Sequence, residues 1–129
     1  MILVDSSVWI ANLRGLDIEP VRKLKSIDDP EEILVGDLIL LEVLQGARDE
    51  QRAARIERDL RQFRMANMLD DELAVRATRN YRDLRGRGVT VRKTIDLIIG
   101  TFCVERDHVL LHYDHDFDPM VMHMGVVIA

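Results

Sequence analysis

The chain begins Met1-Ile2-Leu3-Val4-Asp5-Ser6-Ser7-Val8-Trp9-Ile10. Met1 to Val4 is wholly apolar with no polar alternation, the pattern of a strand buried on both faces, and such strands belong to parallel sheets covered by helices. Asp5 closes the run abruptly. Ser6 and Ser7 then offer hydroxyls that can cap a helix, and Val8 to Leu13 carries helical apolar spacing ended by Gly15. A buried strand that stops on a carboxylate and turns into a helix predicts a polar group at the carboxyl edge of a sheet. In open sheets of this kind the functional crevice lies beyond that edge.

The same alternation continues outward. A helix is predicted over Val21 to Lys25 after Pro20, a strand over Glu32 to Val35, and a helix from Asp37 through Gln45 stopped at Gly46. Asp49 to Phe63 places Ala53, Ile56, Leu60 and Phe63 on one stripe with arginines elsewhere, an amphipathic helix. Met65 to Leu69 reads as a short strand. Asp70 or Asp71 opens a helix with Leu73, Ala77, Tyr81 and Leu84 inward, ended near Gly86 and Gly88. Thr94 can cap a nearly all-apolar helix to about Val104, which must therefore be central. Val109 to Tyr113 is predicted as a strand, Phe117 to Met122 as a helical turn and Val126 to Ile128 as a last strand. Neither a repeat nor a linker interrupts the pattern. Short apolar strands alternating with helices predict the α/β class, with a central, mostly parallel sheet sandwiched between helices.

A length of 129 residues fits one domain, 1–129, and 47% hydrophobic content suffices for its core. The apolar runs are far too short for a membrane span, and the opening residues lack the basic stretch and long apolar region of a signal peptide. Cys103 is the only cysteine, which excludes an internal disulfide. A cytoplasmic protein without a membrane partner is expected.

The net charge of −5 is unevenly spread. Arg48 to Arg64 holds six arginines against four acids, and Arg76 to Lys93 holds seven basic residues against Asp83 alone. An acidic pocket beside a basic rim produces this asymmetry. Solvated helix faces with i,i+4 pairs, such as Asp59 with Arg55, produce it too.

Four acids stand where the pattern demands apolar residues. Asp5 ends the first strand. Glu42 lies inside Leu38-Ile39-Leu40-Leu41-Glu42-Val43-Leu44. Asp96 is the only charged residue between Lys93 and Glu105. Asp114 ends the predicted strand Val109 to Tyr113, with Asp116 just beyond. A buried carboxylate without a partner costs several kcal/mol or loses its charge. Recurrence in one small domain therefore points to a shared purpose. Converging carboxylate oxygens without Cys or His ligands suit Mg²⁺ or Mn²⁺. Two such ions about 4 Å apart support phosphodiester cleavage.

Other metal and phosphate chemistries fit less well. Asp114-His115-Asp116-Phe117-Asp118 lacks the mid-loop glycine and distant glutamate of a calcium loop, and Pro119 interrupts it. His108 and His112 flank a strand and share no helix face, which disfavours zinc. A phosphoacceptor receiver domain needs a second acid directly after its first strand and a lysine ending a late one. Here Ser6 follows Asp5, and Lys93 precedes a helix.

The residues also carry a family resemblance. Met1 to Ile10 resembles the opening of the VapC-type PIN domains. Leu41-Glu42-Val43-Leu44-Gln45-Gly46 resembles their second motif, Thr94-Ile95-Asp96-Leu97-Ile98-Ile99-Gly100 the third, and Leu110-Leu111-His112-Tyr113-Asp114-His115-Asp116-Phe117 the fourth. The match is in order and covers the whole chain. It implies a PIN-domain α/β/α sandwich that cleaves RNA with Mg²⁺ or Mn²⁺. Asp5 and Asp96 would be the principal ligands, completed by Glu42, Asp114 and Asp116, some of them through water. Which of Asp114 and Asp116 lies closer stays open. Ser7 and Thr94 resemble hydroxyls that support the family's site, with helix capping as the other reading. The resemblance further implies the toxin role of a type II toxin–antitoxin system, a cognate VapB-type antitoxin and homodimerisation. Arg85, Arg87, Arg92 and Lys93, just before Asp96, are expected to hold the RNA backbone. Val21 to Lys25 and Asp49 to Phe63 are expected to offer a groove to an apolar partner helix. A nuclease-like fold kept only for binding is the alternative.

Overall fold

Burial explains the unbroken apolar runs. In the computed structural model, which describes residues 1–129, β2 (Ile33–Gly36) is buried at every position, and β1 (Ile2–Val4) is buried at Leu3 and Val4. β1 pairs with β2 in parallel, Ile2 opposite Ile33 and Leu3 opposite Leu34. β2 pairs in parallel with β3 (Arg64–Ala66), Val35 opposite Met65. The four-stranded order is β3-β2-β1-β4, with β4 spanning Val109–Leu111. Arg64 and Met65 leave β3 exposed, as suits an edge strand kept charged against further pairing.

The helices are α1 (Ser6–Leu13), α2 (Glu19–Lys25), α3 (Asp37–Gln45), α4 (Glu50–Leu60), α5 (Asp71–Gly86), α6 (Thr94–Glu105) and α7 (Asp118–Met124), with 3₁₀ turns at Pro30–Glu32 and His115–Phe117. This is the α/β architecture that the sequence predicts. The chain forms two compact units, residues 1–67 with 111–113, and residues 68–110 with 114–129.

In the first unit α1 packs against α2 and α3, and α3 against α4. Its core includes Val4, Val8, Val35 and Ile39, and Trp9 meets Phe63 at 5.4 Å between ring centroids. In the second unit α6 packs against α5 and α7. Every residue of α6 from Asp96 to Cys103 is buried, which confirms its central place. Gly100 permits a close approach, since a β-carbon there would lie 2.8 Å from Met120 Sδ. Thr101 is fully buried, and its hydroxyl accepts a hydrogen bond from the Asn80 amide at 3.0 Å. No helix is long and apolar enough to cross a membrane.

Several boundaries differ from the sequence reading, each for a local reason. Asp5 caps α1 by accepting the Ser7 N–H, so Ser6 and Ser7 are the first helical residues and not its caps. Thr94 likewise is the first residue of α6; the N-cap is Lys93, which makes no side-chain capping bond. The predicted strand over Val109 to Tyr113 stops at Leu111, and the Tyr113 N–H goes to the Ser7 hydroxyl at 3.0 Å. The last predicted strand is reduced to one parallel bridge between Leu110 and Ile128. Asp49 and Asp70 cap α4 and α5 by accepting the N–H of Arg52 and Leu73.

Ile99 is fully buried in α6. Ile99→Ala is expected to cost about 2–5 kcal/mol by removing apolar contacts and leaving a void. Urea unfolding checks this: the midpoint falls while the slope stays the same.

Candidate active site and metal centre

In the first unit, Asp5 is 3% exposed where β1 meets α1. Its Oδ2 accepts the Ser7 N–H at 3.0 Å and the Ser7 hydroxyl at 2.6 Å. The same hydroxyl accepts the Tyr113 N–H. Ser7 thus orients the Asp5 carboxylate and ties the start of α1 to Tyr113. Ser7 lies in the first turn of α1 and is not its cap. Ser6 is buried beside it and donates its hydroxyl to Glu42 Oε1 at 3.1 Å. Consecutive serines on one helical turn therefore hold Asp5 and the half-buried Glu42. The Ser6–Glu42 bond escaped the sequence reading, which treated Ser6 only as a potential cap.

In the second unit, Asp96 is 3% exposed in the first turn of α6, where the helix dipole favours a negative charge. Asp114 caps the turn after β4, and its Oδ1 accepts the Asp116 N–H at 2.9 Å. Carboxylate oxygens of Asp96, Asp114 and Asp116, one from each, all lie within 4.8 Å of one another. Lys93 Nζ stands among them, 2.9 Å from Asp114 Oδ2, 3.3 Å from Asp96 Oδ2 and 3.9 Å from Asp116 Oδ2. The hydrogen bond to Asp114 is the main cause holding the ammonium well above the usual lysine pKa; Asp96 adds to it, and partial burial opposes it.

Three carboxylates around one ammonium leave an excess of negative charge, and every acidic donor is a hard oxygen. That donor set fits a divalent cation of the Mg²⁺ class.

A pocket of about 180 Å³ opens beside these acids. Its lining includes the polar residues Arg92, Lys93, Asp96, His115 and Asp116 and the apolar residues Leu84, Val89 and Met120. Of the residues expected to hold RNA, the structure thus places Arg92 and Lys93 at the acids. Arg87 pairs with Asp83 at 3.1 Å, and the Arg85 guanidinium lies 5.7 Å from the centre of the Tyr81 ring, so both are engaged on α5. Thr94 is exposed. The contact of Lys93 with the acids was also missed, although its i,i+3 spacing to Asp96 was visible. In the Arg48–Arg64 segment, Arg48 pairs with Asp49, Arg61 with Glu57 and Arg64 with Glu31, as on a solvated face.

Residues 2–120 match the PIN domain family. Over 122 residues the chain is 32% identical to VapC ribonuclease Mb1587 of Mycobacterium bovis and to ribonuclease VapC11 of Mycobacterium tuberculosis, covering 92% of this chain and 90% of each relative. Solved structures share its fold. VapBC2 from Rickettsia felis, bound to a promoter DNA fragment, gives a TM-score of 0.79 at 13% identity over 100% of this chain and 98% of the other. VapC20 of Mycobacterium tuberculosis, described as a sarcin-ricin loop cleaving toxin, gives 0.71 at 18% identity over 100% and 98%.

Ser7→Ala removes one hydroxyl that both donates to Asp5 and accepts from Tyr113. The expected loss is about 1–3 kcal/mol of stability, with faster amide exchange at Tyr113. Exchange measured by NMR checks this; unchanged protection at Tyr113 would contradict the bridging role of Ser7.

Proposed function

This chain belongs to the PIN-domain family, in its VapC ribonuclease branch, and from that premise we propose that it cuts RNA with Mg²⁺ or Mn²⁺ held by Asp5, Glu42, Asp96, Asp114 and Asp116. The observation that carries this reading is the convergence of Asp96, Asp114 and Asp116 oxygens within 4.8 Å, with Lys93 as the cation already among them. A bound divalent ion would supply the charge that favours ionisation of attacking water and stabilises the developing phosphorane.

The protein's own part is to position these groups. Ser7 orients Asp5 and Ser6 orients Glu42. Asp96 is held by the buried helix α6 and Asp114 by its own cap. Asp114 is the closer ligand in this reading: it takes the shortest contact with Lys93 and its side chain is less exposed than that of Asp116. Arg92 and Lys93 border the pocket where an RNA phosphate would lie, with Arg85 in the last turn of α5 and Arg87 just after it.

Residues 1–129 act as one PIN domain in this proposal, the toxin of a toxin–antitoxin pair working in the cytoplasm. Solved structures of the same fold are VapBC complexes, which supports a VapB-type antitoxin as partner, and a homodimeric toxin belongs to the same proposal. A basic side chain of the antitoxin would bind the carboxylates in charge-assisted hydrogen bonds and so block the site.

Asp96→Asn keeps the side chain's size and removes its charge. Cleavage of a structured RNA in Mg²⁺ or Mn²⁺ is expected to fall about 10²–10³-fold or more, and to stop in EDTA, with the circular dichroism spectrum preserved. Unchanged cleavage by the folded variant would overturn the assignment.

Arg92→Gln is expected to weaken RNA binding and lower its salt slope by about 0.7, the value of one lost single-strand phosphate contact. Arg85→Gln and Arg87→Gln are expected to change binding less, because both side chains are already engaged. Fluorescence anisotropy across a salt series separates these cases, and an unchanged slope in the Arg92 variant would place the backbone contact elsewhere.

A further inference from the structure

Lys93 is the N-cap residue of α6, so its backbone is held while a flexible four-carbon stem carries the charge. Its side chain is 51% exposed, yet its ammonium reaches three carboxylates, one of which, Asp96, has a side chain only 5% exposed. An ordinary exposed ion pair joins one cation to one anion and contributes little. Here one monovalent charge is shared by three acids whose oxygens lie within 4.8 Å of one another.

The geometry points to Lys93 as a tethered counter-cation that occupies the acidic centre and that a divalent ion must displace in order to bind. This inference rests on the metal-dependent reading above and adds a control on it. The ammonium contacts Oδ2 of Asp96, Asp114 and Asp116, and any ion drawing on the same three acids competes with it for these oxygens. Like charges a few ångströms apart repel, so an ion cannot be added without cost while Lys93 stays in place. The adjoining pocket, with Arg92 on its wall, gives the lysine stem room to swing aside. Lys93 therefore sets the metal affinity below what the carboxylates alone would reach. It offsets part of the cluster's charge when the ion is away and withdraws when the ion enters. It acts through the acids, as a positioning residue and not a catalytic one.

The test is calorimetric titration of the full chain with Mn²⁺, comparing wild type, Lys93→Met and Lys93→Arg. Lys93→Met keeps the stem and removes the charge; it is expected to bind Mn²⁺ about tenfold more tightly, equivalent to about 1.4 kcal/mol. Lys93→Arg keeps the charge and is expected to stay near wild type. The metal-free melting temperature of Lys93→Met is expected to fall and its rise on adding Mn²⁺ to exceed that of wild type. A lysine that merely braced the site would give the opposite result, weaker Mn²⁺ binding once removed. Equal or weaker affinity in Lys93→Met overturns the counter-cation role. If wild type still cleaves RNA with Mn²⁺, that result leaves the ribonuclease reading standing. A wild type that neither binds Mn²⁺ nor cleaves RNA overturns both.

Discussion

Carboxylates taken out of water are the constraint on which the rest of this structure turns. Asp5 and Asp96 are each 3% exposed, at the ends of elements that are otherwise apolar. Burial of such a charge is unfavourable by several kcal/mol unless hydrogen bonds or opposite charge offset it. The chain answers differently in its two units. Around Asp5 it uses neutral donors, the N–H and hydroxyl of Ser7. Around Asp96 it uses a helix N-terminus and the Lys93 ammonium.

These arrangements have different consequences. A neutral hydroxyl orients Asp5 and also accepts the Tyr113 N–H. An ammonium among Asp96, Asp114 and Asp116 balances charge but competes with any cation that would use the same oxygens. α6 takes the larger packing load: it is buried from Asp96 to Cys103, and Gly100 lets Met120 come close.

Much of this was legible in the sequence. The apolar runs of β1 and β2, the arginine-flanked stripe of α4 and the all-apolar α6 marked the α/β class, because burial on both faces leaves no room for polar alternation. The acids stood out for the same reason, as charges in segments that otherwise exclude them. Element ends were less legible. Asp5, Ser6 and Ser7 are all good caps, and only the backbone path shows that Asp5 accepts the Ser7 N–H while both serines enter the helix. Val126 to Ile128 had the composition of a strand, but a single bridge to Leu110 is all that forms.

By itself, then, the sequence determined the class of fold, the order of its helices and main strands and the presence of acids within apolar segments, since these follow from local patterns of polarity and chain geometry. Tertiary structure decided the partners: Ser6 with Glu42, Ser7 with Asp5 and Tyr113, and Lys93 with three acids. Ser6 and Glu42 are 36 residues apart, Lys93 and Asp114 are 21 apart, and Ser7 and Tyr113 are 106 apart. Polarity patterns act over a few residues of chain, whereas a hydrogen bond or ion pair forms only when packing brings two groups within about 3 Å. That distance is set by the folded backbone, which no local run of residues encodes.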